Sequence, residues 1–162
     1  MLAPDRMLVN EIMTRAVCTI PVGASLREAA AELMAHHVSS LPVVDEEDRP
    51  IGVLSLHDIV RALGPLPPSH AADAPTVYSG ALAPHEVRAL LSDLRIDDIE
   101  GGVQTCMTPA VISCSADTSV REAARIMASR SVHRVFVVDD EQRLLGVVSS
   151  MDVVGYVARD AA

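Results

Sequence analysis

The sequence contains no lysine and no tryptophan, and only one phenylalanine and two tyrosines among 162 residues. So few aromatics cannot build the stacking platform of a single-strand nucleic-acid binder. All 13 basic residues are arginine, set against 22 acidic ones for a net charge of −9. That balance opposes a polyphosphate partner, which needs a basic field, and nucleic acid is excluded as an expected ligand. Any phosphate contact must come from Arg, His or backbone amides.

Long apolar runs are missing too: no stretch reaches the roughly 18 residues of a membrane-spanning helix, so no membrane partner is expected. Met1-Leu2-Ala3-Pro4-Asp5-Arg6 lacks the charged-then-apolar pattern of a secretory leader, which makes the cytoplasm the expected location. Cysteine is scarce. Cys18, Cys106 and Cys114 are odd in number, lie in apolar contexts and show no CxxC spacing, so they read as buried, reduced thiols. There is no P-loop, no Gly-x-Gly-x-x-Gly, no nucleophile elbow and no His pair at metal spacing. The chain is therefore not expected to be an enzyme or to carry a metal or cofactor.

What is present is an internal repeat. Sliding the sequence by 94 residues aligns Ile12–Val60 with Cys106–Val154 without a gap, more than a third of the positions being identical. The most telling pair is Gly52-Val53-Leu54-Ser55-Leu56-His57-Asp58 and Gly146-Val147-Val148-Ser149-Ser150-Met151-Asp152. With 49% hydrophobic and 22% charged residues, the chain has enough apolar material for a core. A single copy of about fifty residues is small for independent stability, so the two copies are expected to share a core.

Each copy reads the same way. Asp5–Thr14 is predicted as a short helix before a buried strand at Val17–Ile20. Ser25-Leu26-Arg27-Glu28 is a capping box opening a helix that buries Leu26, Ala29, Ala30, Leu33 and Met34, and Ser119-Val120-Arg121-Glu122 repeats it. A hairpin follows, Leu41–Val44 and Ile51–Ser55 around the polar turn Asp45–Arg49, matched by Val135–Val138, Asp139–Arg143 and Leu145–Ser149. Helices at Asp58–Leu63 and Asp152–Arg159 complete two β-α-β-β-α units, an α/β (α+β) fold. Such units packed sheet to sheet by a pseudo-twofold would bury strand faces that neither covers alone. The predicted layout is repeat 1 at 7–64, a linker at 65–102 and repeat 2 at 103–159. Within the linker, Val87, Leu90, Leu91 and Leu94 share one face of a predicted helix at 84–96, with Pro84 near its start.

With Leu41-Pro42-Val43-Val44-Asp45, His133-Arg134-Val135-Phe136-Val137-Val138-Asp139 and the two Gly-x-x-Ser-x-x-Asp endings in register, the chain resembles a tandem pair of CBS domains, a Bateman module. The resemblance covers approximately Val9–Leu63 and Val103–Ala158. It implies a stand-alone regulatory module that binds an adenosine-containing ligand in the cleft between the repeats and controls an unidentified protein. AMP, ADP or ATP come ahead of S-adenosylmethionine or a cyclic dinucleotide. The competing reading is a structural or protein-interaction homodimer with no nucleotide. Dimerisation is expected from the family pattern and from the alanine-rich faces Ala29/Ala30/Ala31 and Ala123/Ala124.

The candidate site follows from the same residues. One carboxylate presents two acceptors to the adjacent hydroxyls of a ribose, the functional reading of Asp58 and Asp152. Ser55 and Ser149, at helix starts, offer a hydroxyl and backbone amides to a phosphate oxygen; Met151 lies between the second pair. Ser-x-x-Asp at a helix start is also a capping box, and spacing alone leaves both readings open. By resemblance, His133 and Arg134 reach the ligand phosphates, where the first copy has Ser39-Ser40, and backbone at Thr19, Val38 and Ser39 faces the base. Phe136 stands where the first copy has Pro42, and no basic residue follows Asp152 before Arg159. Mono- and dinucleotide phosphates are therefore expected to bind more tightly than metal-free ATP.

Overall fold

A computed structural model describes residues 7–62, 96 and 99–160; the predicted helix at 84–96 lies, apart from Ile96, outside the described residues. The elements run α1 (Val9–Ile12), β1 (Ile20–Pro21), α2 (Leu26–Ala35), β2 (Ser40–Val44), β3 (Pro50–Ser55), α3 (Leu56–Ala62), α4 (Gly102–Cys106), β4 (Ser113–Ser115), α5 (Val120–Arg130), β5 (Arg134–Val138), β6 (Leu144–Ser149) and α6 (Ser150–Asp160). They form two three-stranded sheets, β1-β2-β3 and β4-β5-β6. In each sheet the first two strands are parallel, with Ile20 opposite Val43 and Ser113 opposite Phe136. The fold is the mixed α+β arrangement expected, although β1 begins at Ile20, not Val17, and α1 is confined to Val9–Ile12. Among the described residues no helix is long and apolar enough to cross a membrane.

The chain divides into two compact units. One, here the first-repeat unit, comprises the described residues of Cys18–Val44 and Ile51–Pro109; the second-repeat unit takes those up to Val17, Asp45–Pro50 and those from Ala110 onward. Thus α1 packs against β6 and α6, and α4 against α2 and α3. Hydrophobic burial drives each unit. Ile20, Leu26, Leu33, Leu41, Val43, Leu54, Ile59 and Val103 centre one core, and Val9, Met13, Ala123, Met127, Val135, Val137 and Val148 the other.

Local chemistry explains the elements. Ser25 Oγ accepts from the Glu28 amide at 3.2 Å while the Ser25 amide donates to Glu28 Oε2 at 2.8 Å, closing the predicted capping box on α2. On α5 only half of the device forms. Ser119 Oγ accepts from the Glu122 amide at 3.2 Å, but the Glu122 carboxylate takes Arg125 at 3.1 Å, where the first repeat has Ala31. The hairpin turns are held alike: Asp45 Oδ1 accepts the amides of Glu47 and Arg49, and Asp139 Oδ1 those of Glu141 and Arg143, while each arginine's Nε returns to the other carboxylate oxygen.

The glycine of each Gly-x-x-Ser-x-x-Asp motif has a packing reason. In the second-repeat unit Thr14 and Val147 exchange backbone bonds of 2.9 and 3.0 Å, laying Met13-Thr14 along β6. A Cβ at Gly146 would stand 2.8 Å from Thr14 O and 2.8 Å from Met13 Sδ. Met107-Thr108 does the same to Val53, and a Cβ at Gly52 would meet Thr108 O at 2.9 Å. Of the alanines on the two expected faces, Ala29, Ala30 and Ala123 are 0–3% exposed and belong to the unit cores, while Ala31 is exposed and Ala124 half-buried. Among the described residues the exposed large apolar ones are Leu145 and, on α6, Met151, Val154 and Val157.

Candidate functional site

β5 and β6 form an antiparallel ladder in which Arg134 stands opposite Ser149. The Ser150 amide donates to His133 O at 2.9 Å, tying the start of α6 to the entry of β5. The ladder and this bond bring His133, Arg134, Ser149, Met151 and Asp152 together at one edge of the second-repeat unit. Along β5 Val135–Val138 are all buried, and Arg134, at the start of the strand, is exposed. The first-repeat unit makes the equivalent arrangement, the Leu56 amide donating to Ser39 O at 3.1 Å, so Ser39, Ser55 and Asp58 converge. Val38 donates its amide to Leu33 O at 3.1 Å at the end of α2, and Thr19 immediately precedes β1. Five of the ten sequence-predicted site residues thus lie in each unit.

Both Ser-x-x-Asp pairs cap their helices. Asp152 Oδ2 accepts from the Ser149 amide at 2.7 Å and hydroxyl at 2.6 Å, while the Asp152 amide donates to Ser149 Oγ at 3.2 Å. Asp58 repeats the pattern at 2.9, 2.6 and 3.2 Å. Each cap uses Oδ2 alone, and the copies part at the other oxygen. Asp58 Oδ1 accepts from Arg61 Nη2 at 3.1 Å, one turn along α3, with the Asp58 side chain only 9% exposed. The aligned residue in α6 is Gly155, and a Cβ built there meets nothing within 4 Å. Asp152 is half-buried. Arg61 satisfies the second acceptor of Asp58 from within its own helix; α6 supplies no side chain at that position to Asp152.

Arg61 and Gly155 were not among the sequence-predicted site residues. The signal was present one position beyond the aligned stretch, where the same offset of 94 residues pairs them three residues after the two aspartates, the spacing at which helix side chains meet. The cysteines are also partly different from expectation: Cys106 and Cys114 are buried, but Cys18 is only half-buried. Burial, a hydrogen bond to Glu32 and the Glu32 charge all push the Cys18 thiol pKa up.

The CBS domain model matches residues 9–65 and 98–159, and the chain belongs to the CBS domain family. An uncharacterized protein of Methanocaldococcus jannaschii is 27% identical over 145 residues, covering 90% of this chain and 38% of that protein. The chain spans 60% and 22% of the lengths of two further curated relatives. Among solved structures, CBSX2 in complex with AMP is similar at 22% identity and a TM-score of 0.68, covering 96% of this chain and 99% of that one. The CBS domain pair of the protein MJ0100, in complex with 5′-methylthioadenosine and S-adenosyl-L-methionine, is similar at 26% identity and a TM-score of 0.62, covering 94% and 97%. Both neighbours place the chain's fold with CBS domain pairs.

Proposed function

We propose that the chain is a regulatory module that senses an adenosine-containing nucleotide of the AMP, ADP or ATP class at the Ser149–Asp152 turn. The observation that carries this reading is the contrast between Asp58, whose second oxygen Arg61 satisfies, and Asp152, which has Gly155 in that place. A ribose diol has two adjacent donors for such a carboxylate, and charge-assisted bonds of this kind are the strong ones. Arg134 and His133, beside Ser149 on β5, are the basic groups for a 5′-phosphate. Backbone at Thr19, Val38 and Ser39 is proposed to contact the base, and Ser55/Asp58 to serve as a second, weaker site.

The molecules named with the two structural neighbours all contain adenosine, which supports the nucleoside part of the reading. S-adenosylmethionine is the alternative ligand within it, and Arg134 discriminates, since a phosphate needs it and a sulfonium does not. A second reading, an interaction homodimer, is favoured by Met151, Val154 and Val157 on α6, exposed to 71%, 56% and 47%. Dimerisation itself is compatible with sensing, and the module is proposed to act as a cytoplasmic homodimer on a partner protein; a homodimer with no nucleotide is the competing reading. Thermal-shift measurements at millimolar nucleotide test the ligand reading. AMP is expected to raise the melting temperature of the parent and to raise it less in Arg134→Ala. If no adenosine compound moves the melting temperature, the sensing role is wrong.

A further inference from the structure

The first-repeat unit holds a polar cluster that the nucleotide reading does not use. Cys18, just before β1, places Sγ 3.4 Å from Glu32 Oε2 on α2, and His36 Nε2, one turn further along, lies 3.3 Å from the same oxygen. All three donor atoms fall within 4.8 Å of one another. Four ligands around a tetrahedral zinc ion, at bond lengths of roughly 2.0–2.3 Å, stand roughly 3.3–3.6 Å apart along the edges of the tetrahedron. Two of the three edges here already have that length.

The fold does not require this chemistry. At the same places the second repeat has Ile112, Ile126 and Arg130, and both isoleucines pack against the unit's core. The framework thus accepts two apolar side chains where the first repeat puts a thiol and a carboxylate. Glu32 and His36 keep 44% and 54% of their side chains exposed, which leaves a route for an ion.

We propose that Cys18, Glu32 and His36 bind a divalent transition metal, with three protein ligands and a water in the fourth position. Mixed sulfur, nitrogen and oxygen donors select zinc over magnesium or calcium, which take oxygen. Binding displaces the thiol proton, so the cysteine ligates as thiolate. The ion would join the segment entering β1 to α2, fixing the stretch that carries Thr19.

The test uses the full chain, free of any polyhistidine tag and stripped with chelator. Zinc is titrated in competition with a chromophoric chelator, and cobalt(II) serves as the spectroscopic probe. The expected result is one equivalent of ion and a thiolate-to-cobalt charge-transfer band that is lost in Cys18→Ser. His36→Gln should weaken zinc binding by roughly tenfold or more, as a lost ligand must cost at least as much as a lost supporting group. The double variant Cys18→Ile/Glu32→Ile copies the second repeat; it should melt as a folded protein and bind no ion. Absence of saturable binding in the parent, or a band and affinity unchanged in Cys18→Ser or in the double variant, would overturn the proposal.

Discussion

Gly155→Arg should move stability and ligand affinity in opposite directions. The position lies inside α6, and a Cβ there meets no atom within 4 Å, so the first carbon of the new side chain meets no obstacle. Replacing a helix-interior glycine by arginine favours the helix by up to ~1 kcal/mol, which raises the melting temperature by about 2–4 °C for a chain of this size. The new guanidinium stands three residues after Asp152, the relation in which Arg61 reaches Asp58 Oδ1 at 3.1 Å. It should occupy the oxygen proposed for the ribose. Losing charge-assisted bonds to the ligand costs ~1.5–3 kcal/mol, a weakening of roughly tenfold to a hundredfold. Adenosine is the ligand to titrate by calorimetry, alongside a thermal melt without ligand, because it lacks a phosphate for the new arginine to attract. A variant that melts higher and binds adenosine as the parent does would refute the assignment of the diol to Asp152.

Other expectations follow from particular contacts. Gly146→Ala places a methyl 2.8 Å from Thr14 O; overpacking of this kind costs ~1–3 kcal/mol, and a denaturant melt matching the parent would contradict it. Asp139 is held below its ordinary 3.8, chiefly by the Arg143 backbone amide, which together with the Arg143 side chain and charge and the Glu141 amide outweighs the opposing effect of burial. A depressed carboxylate contributes stability that is present above the unfolded value and lost as pH falls through the folded one. The melting-temperature gap between parent and Asp139→Asn should therefore be open at neutral pH and close below about pH 4; a gap constant with pH would count against it. Light scattering at tens of micromolar should give a dimer in the parent and a smaller species in Val154→Glu/Val157→Glu, and a parent mass near the chain's 17.2 kDa would remove the dimer.

Much of this was legible in the sequence because the signals are local. A serine three residues before a glutamate or aspartate marks a helix start whatever lies elsewhere, and an aspartate four residues before an arginine marks the turn between two apolar strands. The 94-residue repeat then set two copies side by side. What was not legible depends on contacts between distant parts of the chain. Nothing near Val9 indicates that α1 packs with β6 and α6, more than 130 residues on; the same contact, through Thr14, gives Gly146 its reason. Which alanines of the two faces are core was not legible either, because small residues also allow close packing inside a core, as Ala29, Ala30 and Ala123 do. Glu32 and His36 are four apart and visibly share a helix face, but Cys18 joins them only when β1 is laid beside α2. The two roles of Asp152, cap and ribose acceptor, have the same spacing and could be separated only by what stands at position 155.

Calorimetry of AMP and adenosine on the parent and on Asp152→Asn tests the central claim most directly. Asparagine keeps a cap oxygen and nearly the same volume, so stability should change by no more than ~1 kcal/mol. It loses the charge and one of the two acceptors, so both ligands should bind roughly tenfold to a hundredfold more weakly. Equal binding of AMP and adenosine by parent and variant would contradict the account and leave Ser149/Asp152 as a helix cap.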